Sequence, residues 1–272
     1  MKRSGLPLVI EPDELQVALG DEQILVVDLS QAQFYHQSHI PGAAHIDYAR
    51  LIATKPPVMG LLPDVTLLSA LFSSLGLTAT THVVAYDNEG GGKASRLLWT
   101  LEVAGHNRYS LLNGGFNAWR NEEHPVDTRP AATITQPYTP HLNNKEAIAD
   151  KQYILAHLNT PNTCLVDCRS PAEYAGRYLR AKRGGHIPGA VNIEWTRALD
   201  PQHHMRIKPK EELAALYRLA GITDDKLVIV YCQTHHRSAL SYIVLKSLGY
   251  HVRGYPGSWS EWGNDPDTPI ER

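Results

Sequence analysis

The pentapeptide His-Ile-Pro-Gly-Ala occurs twice in this chain, and this repeat limits what the chain can fold into. The first copy covers residues 39–43 and the second covers residues 186–190, so the copies lie 147 positions apart (186 − 39 = 147). A repeat of this length corresponds to a whole domain, because solenoid repeats are only about 20–50 residues long. The 272-residue chain is therefore predicted to hold two similar domains in tandem.

Other segments repeat in the same order around the pentapeptide. Val27-Asp28-Leu29-Ser30 is matched by Val166-Asp167-Cys168-Arg169, and the offset of 139 (167 − 28 = 139) predicts a longer following loop in the second half. Farther along, a β-forming run ends at Asp87 in the first half and at Cys232 in the second. A rigid Pro-Gly turn explains both pentapeptides without a catalytic role for either histidine.

Short β-forming runs alternate with helical patterns in both halves. This order is typical of an α/β fold, here two domains that each have a mainly parallel sheet flanked by helices. We predict a first domain at residues 1–126, a proline-rich linker at 127–143 and a second domain at 144–272. The predicted helices cover residues 12–19, 64–75, 93–104, 145–158, 171–174, 209–219 and a last one that begins at residue 238.

Cys232 is the leading candidate for a reactive residue. It follows the β-forming run Val228–Tyr231, and a short polar loop separates it from the helix that is predicted to begin at Ser238. Backbone N–H groups at the start of that helix, together with the charge of Arg237, would favour the thiolate over the thiol. Both a catalytic cysteine and a buried structural cysteine are compatible with this pattern.

Composition and charge argue against several classes of partner. A net charge of −2 without a long basic run makes nucleic acid an unlikely ligand, because phosphate backbones require a concentrated basic surface. No apolar run approaches the roughly 20 residues of a membrane span.

Three cysteines do not form a disulfide framework, so we expect a cytoplasmic protein in a reducing compartment. Whether Cys168 takes part in the site is left open.

Several spaced motifs together resemble the rhodanese family. They are an Asp-x-Arg at a strand end, a downstream Glu-Tyr pair, the His-Ile-Pro-Gly-Ala turn, a cysteine loop and a closing Gly-x-x-x-x-Trp. The tandem copy is similar to the two-domain thiosulfate sulfurtransferases. The resemblance implies that Cys232 takes a sulfane sulfur from thiosulfate and holds it as a covalent persulfide, without another cofactor. The acceptor would be cyanide, a dithiol or a sulfur-carrier protein.

The resemblance also implies a set of residues that bind the substrate. In the first half Asp87 replaces the cysteine, so that half is expected to be a scaffold. For Arg169, an alternative to an anion contact is a salt bridge with Glu173 or Glu194. No metal is predicted, because adjacent ligands on a tight loop rarely converge on one ion. The predicted substrate-binding residues are Arg237, Arg169, Gln233, Thr234, His235, His236 and Ser238.

Other activities on this fold are weighed against thiosulfate sulfur transfer. Related phosphatases require Cys-x-x-x-x-x-Arg, whereas Arg237 follows Cys232 by only five positions, which favours sulfur. A 3-mercaptopyruvate sulfurtransferase and a selenium-transferring enzyme remain alternatives. A non-catalytic binding module is a further one, although such a module would be expected to lose its cysteine as the first half has done.

Overall fold

The computed structural model describes residues 5–132, 134–158 and 160–272. The beginning of the predicted first domain (residues 1–4) and one position of the predicted linker (residue 133) lie outside the described residues. The chain forms two compact units. None of the described helices has the length and apolar composition needed to cross a bilayer.

Strands and helices alternate through the first half of the chain. A single turn of 3-10 helix at Tyr48–Leu51 follows the third strand. In chain order, the elements are β1 (Val9–Ile10), α1 (Pro12–Ala18), β2 (Ile24–Asp28), α2 (Ala32–Gln37), β3 (Ala44–His45), β4 (Ala53–Lys55), β5 (Val58–Leu61), α3 (Val65–Ser74), β6 (His82–Tyr86), α4 (Gly92–Val103), β7 (Tyr109–Leu112) and α5 (Gly115–Asn121).

The second half repeats this alternation. Two further 3-10 turns, Trp195–Ala198 and Pro201–His203, lie on either side of its third strand. In chain order, the elements are α6 (Lys151–His157), β8 (Thr163–Asp167), α7 (Pro171–Tyr174), β9 (Val191–Asn192), β10 (Leu199–Asp200), β11 (Arg206–Ile207), α8 (Lys210–Leu219), β12 (Leu227–Tyr231), α9 (Arg237–Ser247), β13 (His251–Gly254) and α10 (Ser258–Trp262).

Each unit is built on a parallel sheet. The strand order is β1-β7-β6-β2-β3 in the first unit and β13-β12-β8-β9 in the second, and all of these neighbours pair in parallel. Burial on both faces accounts for the continuous apolar runs that the strands show in the sequence. The predicted fold class, two α/β domains with mainly parallel sheets, is confirmed.

The two pentapeptides form the same buried turn. In the first unit Tyr35 stacks on His39 with ring centroids 3.9 Å apart, and its hydroxyl donates to the carbonyl of Ala43 (2.8 Å). The backbone N–H of Ile40 donates to the Tyr86 hydroxyl (3.1 Å), which fastens the turn to the central strand β6.

In the second unit the same contacts recur around His186. Tyr174 stacks on His186 at 3.6 Å and donates to the carbonyl of Ala190 (2.7 Å), while the N–H of Ile187 donates to the Tyr231 hydroxyl (3.1 Å). Both histidines are buried, and each uses its Nδ1 on the carbonyl of the tyrosine that it stacks against. Two copies of one turn therefore join the sheet to the preceding helix by aromatic and backbone contacts.

Helix boundaries agree with the sequence in most places and differ at α6. The predicted helix 145–158 begins only at Lys151, where the Asp150 carboxylate caps the N–H of Tyr153 (2.7 Å). The preceding residues instead extend the sheet, because Ile148 forms a parallel bridge with Gly254. Local helix propensity therefore gives way to pairing with a distant strand.

Each unit includes a short segment from the opposite half of the sequence. Residues 52–62, which hold the antiparallel pair β4 and β5, belong to the second unit, and residues 200–207 belong to the first. The remaining residues divide at Asn144 and Lys145. The predicted domain boundaries at residues 126 and 144 did not foresee this exchange and remain predictions.

We expect His39→Ala and His186→Ala to destabilise the protein to a similar extent, by about 2–3 kcal/mol each, because each removes a buried stacked ring and its hydrogen bond. Urea unfolding measures this loss. Any activity of the folded fraction should stay within about threefold of that of the unchanged protein for both variants, since both turns are structural. If only His186→Ala loses activity while its stability is unchanged, the structural assignment of that turn is wrong.

Candidate active site

Cys232 lies at the carboxyl end of the central strand of the second unit. It directly follows β12, whose last residue, Tyr231, pairs with Asp167 at the end of β8. The chain then passes through a five-residue loop, 232–236, and enters α9 at Arg237. Ligand sites in parallel sheets are found at this edge, and the predicted strand, loop and helix around the cysteine are all present.

The surroundings of Cys232 favour its thiolate. Burial by itself would raise the pKa of the thiol, but the charge of Arg237, the hydroxyl and N–H of Ser238 and the N–H of Thr234 more than offset that effect. The pKa of Cys232 is therefore lower than that of an ordinary cysteine. A thiolate attacks sulfur and carbon electrophiles far more readily than a thiol, so this residue has the character of a nucleophile.

Arg237 is held in place by a carboxylate. Its two terminal amino groups donate to the two Glu173 oxygens at 2.7 and 2.9 Å. Burial would raise the pKa of Glu173, but the hydrogen bonds and charge of Arg237 and the contacts with Ser170 lower it to about 2. The ion pair also raises the pKa of Arg237, despite its burial. The guanidinium is therefore fixed in orientation and charged throughout the physiological range.

A corner of the chain after β13 clamps the cysteine loop. The buried hydroxyl of Ser258 accepts from the N–H groups of Cys232 (3.3 Å) and His235 (3.1 Å), and donates to the carbonyl of Tyr255 (2.7 Å). At the start of α10, the N–H of Trp259 donates to the carbonyl of Cys232 (3.0 Å). The loop is thus held from both its N–H and its carbonyl sides.

Sequence reasoning missed Ser258. The residue lies inside the closing Gly-x-x-x-x-Trp motif, which the sequence shows only as part of the family resemblance. In the structure, the backbone of Ser258 marks it as unusual. Its φ is +50°, a left-handed conformation that is uncommon for a residue with a side chain. The tryptophan that ends this motif in each half, Trp119 or Trp262, is fully buried and donates to the carbonyl of Pro125 or Pro269 respectively (2.7 Å each).

The predicted loop residues fall into two groups. His235 and Ser238 are buried and bond to each other through Nδ1 and Oγ (2.8 Å), so both side chains brace the loop from within. Gln233, Thr234 and His236 are half-buried, and Gln233 donates to the carbonyl of Arg180 (3.0 Å). Within the described part of the chain, His, Cys, Asp and Glu side chains form no cluster that could hold a metal ion.

Arg169 is built into the core beneath the site. Its guanidinium donates to both Asp167 oxygens (2.5–3.0 Å) and to the carbonyl of Gly185 (2.7 Å), and lies 4.4 Å from the centre of the Trp259 ring. The predicted salt-bridge partners, Glu173 and Glu194, were wrong, since the ion pair is made with Asp167. These contacts favour a structural role, and the predicted contact with substrate stays a prediction.

Cys168 follows β8 next to the site but differs from Cys232 in chemical character. Burial raises its pKa well above the ordinary value, and its thiol donates weakly to the carbonyl of Val166 (3.8 Å). The residue therefore remains a neutral thiol at physiological pH. All three cysteines of the chain, including the half-buried Cys164, are free of disulfide bonds.

The corresponding loop of the first unit encloses an anion of its own. Asp87 occupies the position after β6 that Cys232 occupies after β12, and its carboxylate accepts four backbone N–H groups at 2.8–3.0 Å. These donors belong to Glu89, Gly91, Lys93 and Ala94. A loop of this shape at the start of a helix is a preformed anion cradle.

Comparison with known proteins gives consistent matches over the whole chain. Residues 11–122 and 150–265 each match the family model described as a rhodanese-like domain. Thiosulfate sulfurtransferases from Azotobacter vinelandii and Pseudomonas aeruginosa are each 45% identical to this chain, with 98% of both chains covered. The sulfur carrier protein TtuD of Thermus thermophilus is 35% identical, with 97% of this chain and 96% of that protein covered.

Solved structures resemble this one in fold. The anaerobic ergothioneine biosynthesis enzyme from Chlorobium limicola, in complex with trimethyl histidine, gives a TM-score of 0.86 at 23% identity. The match covers 97% of this chain and 70% of that one. At this identity the likeness extends to the fold alone.

Arg237→Gln is expected to raise the pKa of the Cys232 thiol, because it removes the largest influence that favours the thiolate. At neutral pH the alkylation of Cys232 by iodoacetamide should slow by about tenfold for each unit that the pKa rises. Mass analysis of the Cys232 peptide across a pH series measures this shift and separates Cys232 from Cys164.

Arg180→Gln is the matched control for this experiment. Arg180 also faces Glu173 (3.6 Å), but its side chain is half-exposed and Arg237 carries the charge that acts on the sulfur. The alkylation profile of this variant should coincide with that of the unchanged protein. Equal shifts in both variants would contradict the assignment to Arg237.

Proposed function

Because this chain belongs to the rhodanese family and is a thiosulfate sulfurtransferase, we propose that Cys232 is its nucleophile and carries the transferred sulfur as a persulfide. The observation that supports this most directly is the combination of a buried thiol, the Arg237 charge and backbone N–H donors on one sulfur atom. That combination stabilises an anion at the position from which a nucleophile would attack.

The first half of the reaction charges the enzyme. The Cys232 thiolate attacks the sulfane sulfur of thiosulfate, a new S–S bond forms, and the S–S bond of thiosulfate breaks. Sulfite leaves with the electron pair, so a thiolate and a dianion give a persulfide anion and a dianion. The N–H groups of Thr234 and Ser238 and the Arg237 guanidinium would stabilise the negative charge in both states.

The second half returns the enzyme to its thiolate. A thiophilic acceptor attacks the outer sulfur of the persulfide, takes it, and leaves the electron pair of the broken S–S bond on Cys232. With cyanide the product is thiocyanate, and with a thiolate the product is a new persulfide. The negative charges balance in each step, so no oxidant, reductant or cofactor besides the cysteine is required.

The loop residues would divide between substrate contact and support. We assign the contact with thiosulfate to Arg237, Gln233, Thr234 and His236, which are only partly buried around the cysteine. We assign support of the loop to His235 and Ser238, and support of the sheet edge beneath it to Arg169. The first unit supplies no second nucleophile, because Asp87 fills its cradle.

For the physiological acceptor we favour a thiol over cyanide. A relative at 35% identity over nearly the full length is named a sulfur carrier protein, which suggests that persulfides of this family can be passed to a carrier. A cytoplasmic location suits such a role, because a reducing compartment keeps Cys232 free to accept sulfur.

Mass spectrometry of the intact protein tests the proposal. Incubation with thiosulfate should add one sulfur atom, about 32 Da, and a cyanide chase should remove it and release thiocyanate. Cys232→Ala should show neither the added mass nor thiocyanate formation, while its circular dichroism spectrum stays native.

Asp87→Asn is the matched control, because the same loop position is changed in the half that lacks the nucleophile. This variant should gain and lose the sulfur as the unchanged protein does. A persulfide that still forms in Cys232→Ala would overturn the assignment. A protein that never gains sulfur from thiosulfate would require a different donor, such as 3-mercaptopyruvate or a selenium compound.

A further inference from the structure

A hairpin from the first half of the sequence belongs to the unit that contains Cys232. Its strands β4 and β5 pair antiparallel, with Ala53 opposite Leu61 and Lys55 opposite Val58. The β5 strand lies against α10, the helix whose first turn clamps the cysteine loop. The hairpin is therefore part of the structure around the site, although about 170 residues separate it from Cys232 in the sequence.

One buried serine fastens the hairpin to the clamp. The Ser260 hydroxyl accepts from the N–H of Met59 (3.1 Å) and lies 2.8 Å from the Met59 carbonyl. The N–H of the same serine donates to the carbonyl of Gln233 (3.0 Å). Ser260 thus joins the hairpin backbone and the loop backbone through adjacent hydrogen bonds.

Gly60, the next residue of β5, lies directly against the cysteine loop. A Cβ at this position would fall 2.4 Å from the carbonyl oxygen of Thr234, 2.7 Å from its Cβ and 2.9 Å from its carbonyl carbon. These distances are far below van der Waals contact, and two of the three atoms belong to the backbone. Only glycine therefore fits here without displacing Thr234.

Thr234 is also one of the residues whose N–H donates to the Cys232 sulfur. The backbone of Thr234 is therefore held on two sides, its carbonyl against the hairpin and its N–H on the reacting sulfur. A shift of a few tenths of an ångström at the Thr234 carbonyl would tilt the neighbouring peptide units and move a donor away from the sulfur.

We propose that Gly60 is a positioning residue for sulfur transfer, and that the hairpin of the first half sets the distance between the Thr234 N–H and the Cys232 sulfur. This inference rests on the proposed role of Cys232. It gives the first half of the sequence a direct part in the reaction, in addition to the scaffold role expected from its missing cysteine.

Gly60→Ala tests the proposal, and Gly42→Ala is its matched control. The two glycines have nearly the same positive φ, +79° and +76°, a region in which alanine is strained at either position. At Gly42, however, a Cβ would meet no atom within 4 Å. The difference between the two variants therefore isolates the contact with Thr234 from the cost of the backbone conformation.

We expect kcat/KM for thiosulfate to fall by about tenfold or more in Gly60→Ala, since small misplacements of catalytic groups reduce rates strongly. The pH profile of Cys232 alkylation should move to higher pH, because one N–H donor is lost. In Gly42→Ala the thermal midpoint should fall by the cost of the backbone conformation alone, and so by less than in Gly60→Ala, while kcat/KM and the alkylation profile remain unchanged. Equal activity losses in the two variants, or a folded Gly60→Ala with the original profile, would overturn the proposal.

If Gly60→Ala does not fold, Ser260→Ala tests whether the hairpin positions the Thr234 N–H. This change releases the Met59 backbone without adding an atom near Thr234. The alkylation profile should move to higher pH, as in Gly60→Ala, and kcat/KM should fall by a smaller amount, about threefold. An unchanged profile in Ser260→Ala would refute the positioning role. If the unchanged protein itself forms no persulfide at Cys232, the proposed function fails, and that result is separate from any effect at Gly60.

Discussion

Backbone N–H groups that converge on a buried negative charge are the contact on which the site depends. Burial alone would raise the pKa of the Cys232 thiol, and the Arg237 charge and the hydrogen bonds of Ser238 and Thr234 instead lower it below its ordinary value. Such donors act only at short range and in good alignment, so the loop cannot be free to change shape. The Ser258 clamp, the Glu173 carboxylate on Arg237 and the close approach of Gly60 are all means of fixing those donors.

Comparison of the two units distinguishes the contacts that the fold requires from those that the chemistry requires. Both units keep the stacked tyrosine and histidine, the Pro-Gly turn and the tyrosine hydroxyl that fastens the turn to the central strand. The group inside the cradle differs. In the first unit the Asp87 carboxylate satisfies four N–H groups permanently, and this closes the cradle to any other anion. In the second unit a cysteine leaves the donors available for the charge that the proposed reaction would form and move.

The family and the two-domain fold predicted from the motifs are confirmed, because these depend on local patterns that survive in the sequence. The position of Cys232 after a central strand was predictable for the same reason. The contacts of Arg169 and Ser258 could not be predicted, because the sequence does not reveal which distant groups a side chain will contact. The exchange of residues 52–62 and 200–207 was equally hidden, because a short hairpin carries no signal for the sheet that it packs against. The sequence therefore locates the proposed nucleophile, and the structure shows which contacts hold it.

The two cradles also differ in how they obtain the left-handed turn that aims their N–H groups. The first unit uses glycines, with Gly90 at φ +98° and Gly91 at φ +86°, whereas the second places His235 at φ +53° in the position equivalent to Gly90. A non-glycine residue in this conformation costs about 1–3 kcal/mol and persists only where its surroundings hold it. Here the holding contacts are the His235 N–H on Ser258 and the His235 ring on Ser238. Glycine would avoid the strain but would lose the ring contact, and with it the support of a hydroxyl that bonds the Cys232 sulfur. The strained histidine is therefore explained by its support of the Ser238 hydroxyl, whereas the Asp87 carboxylate of the first unit is held by backbone N–H groups.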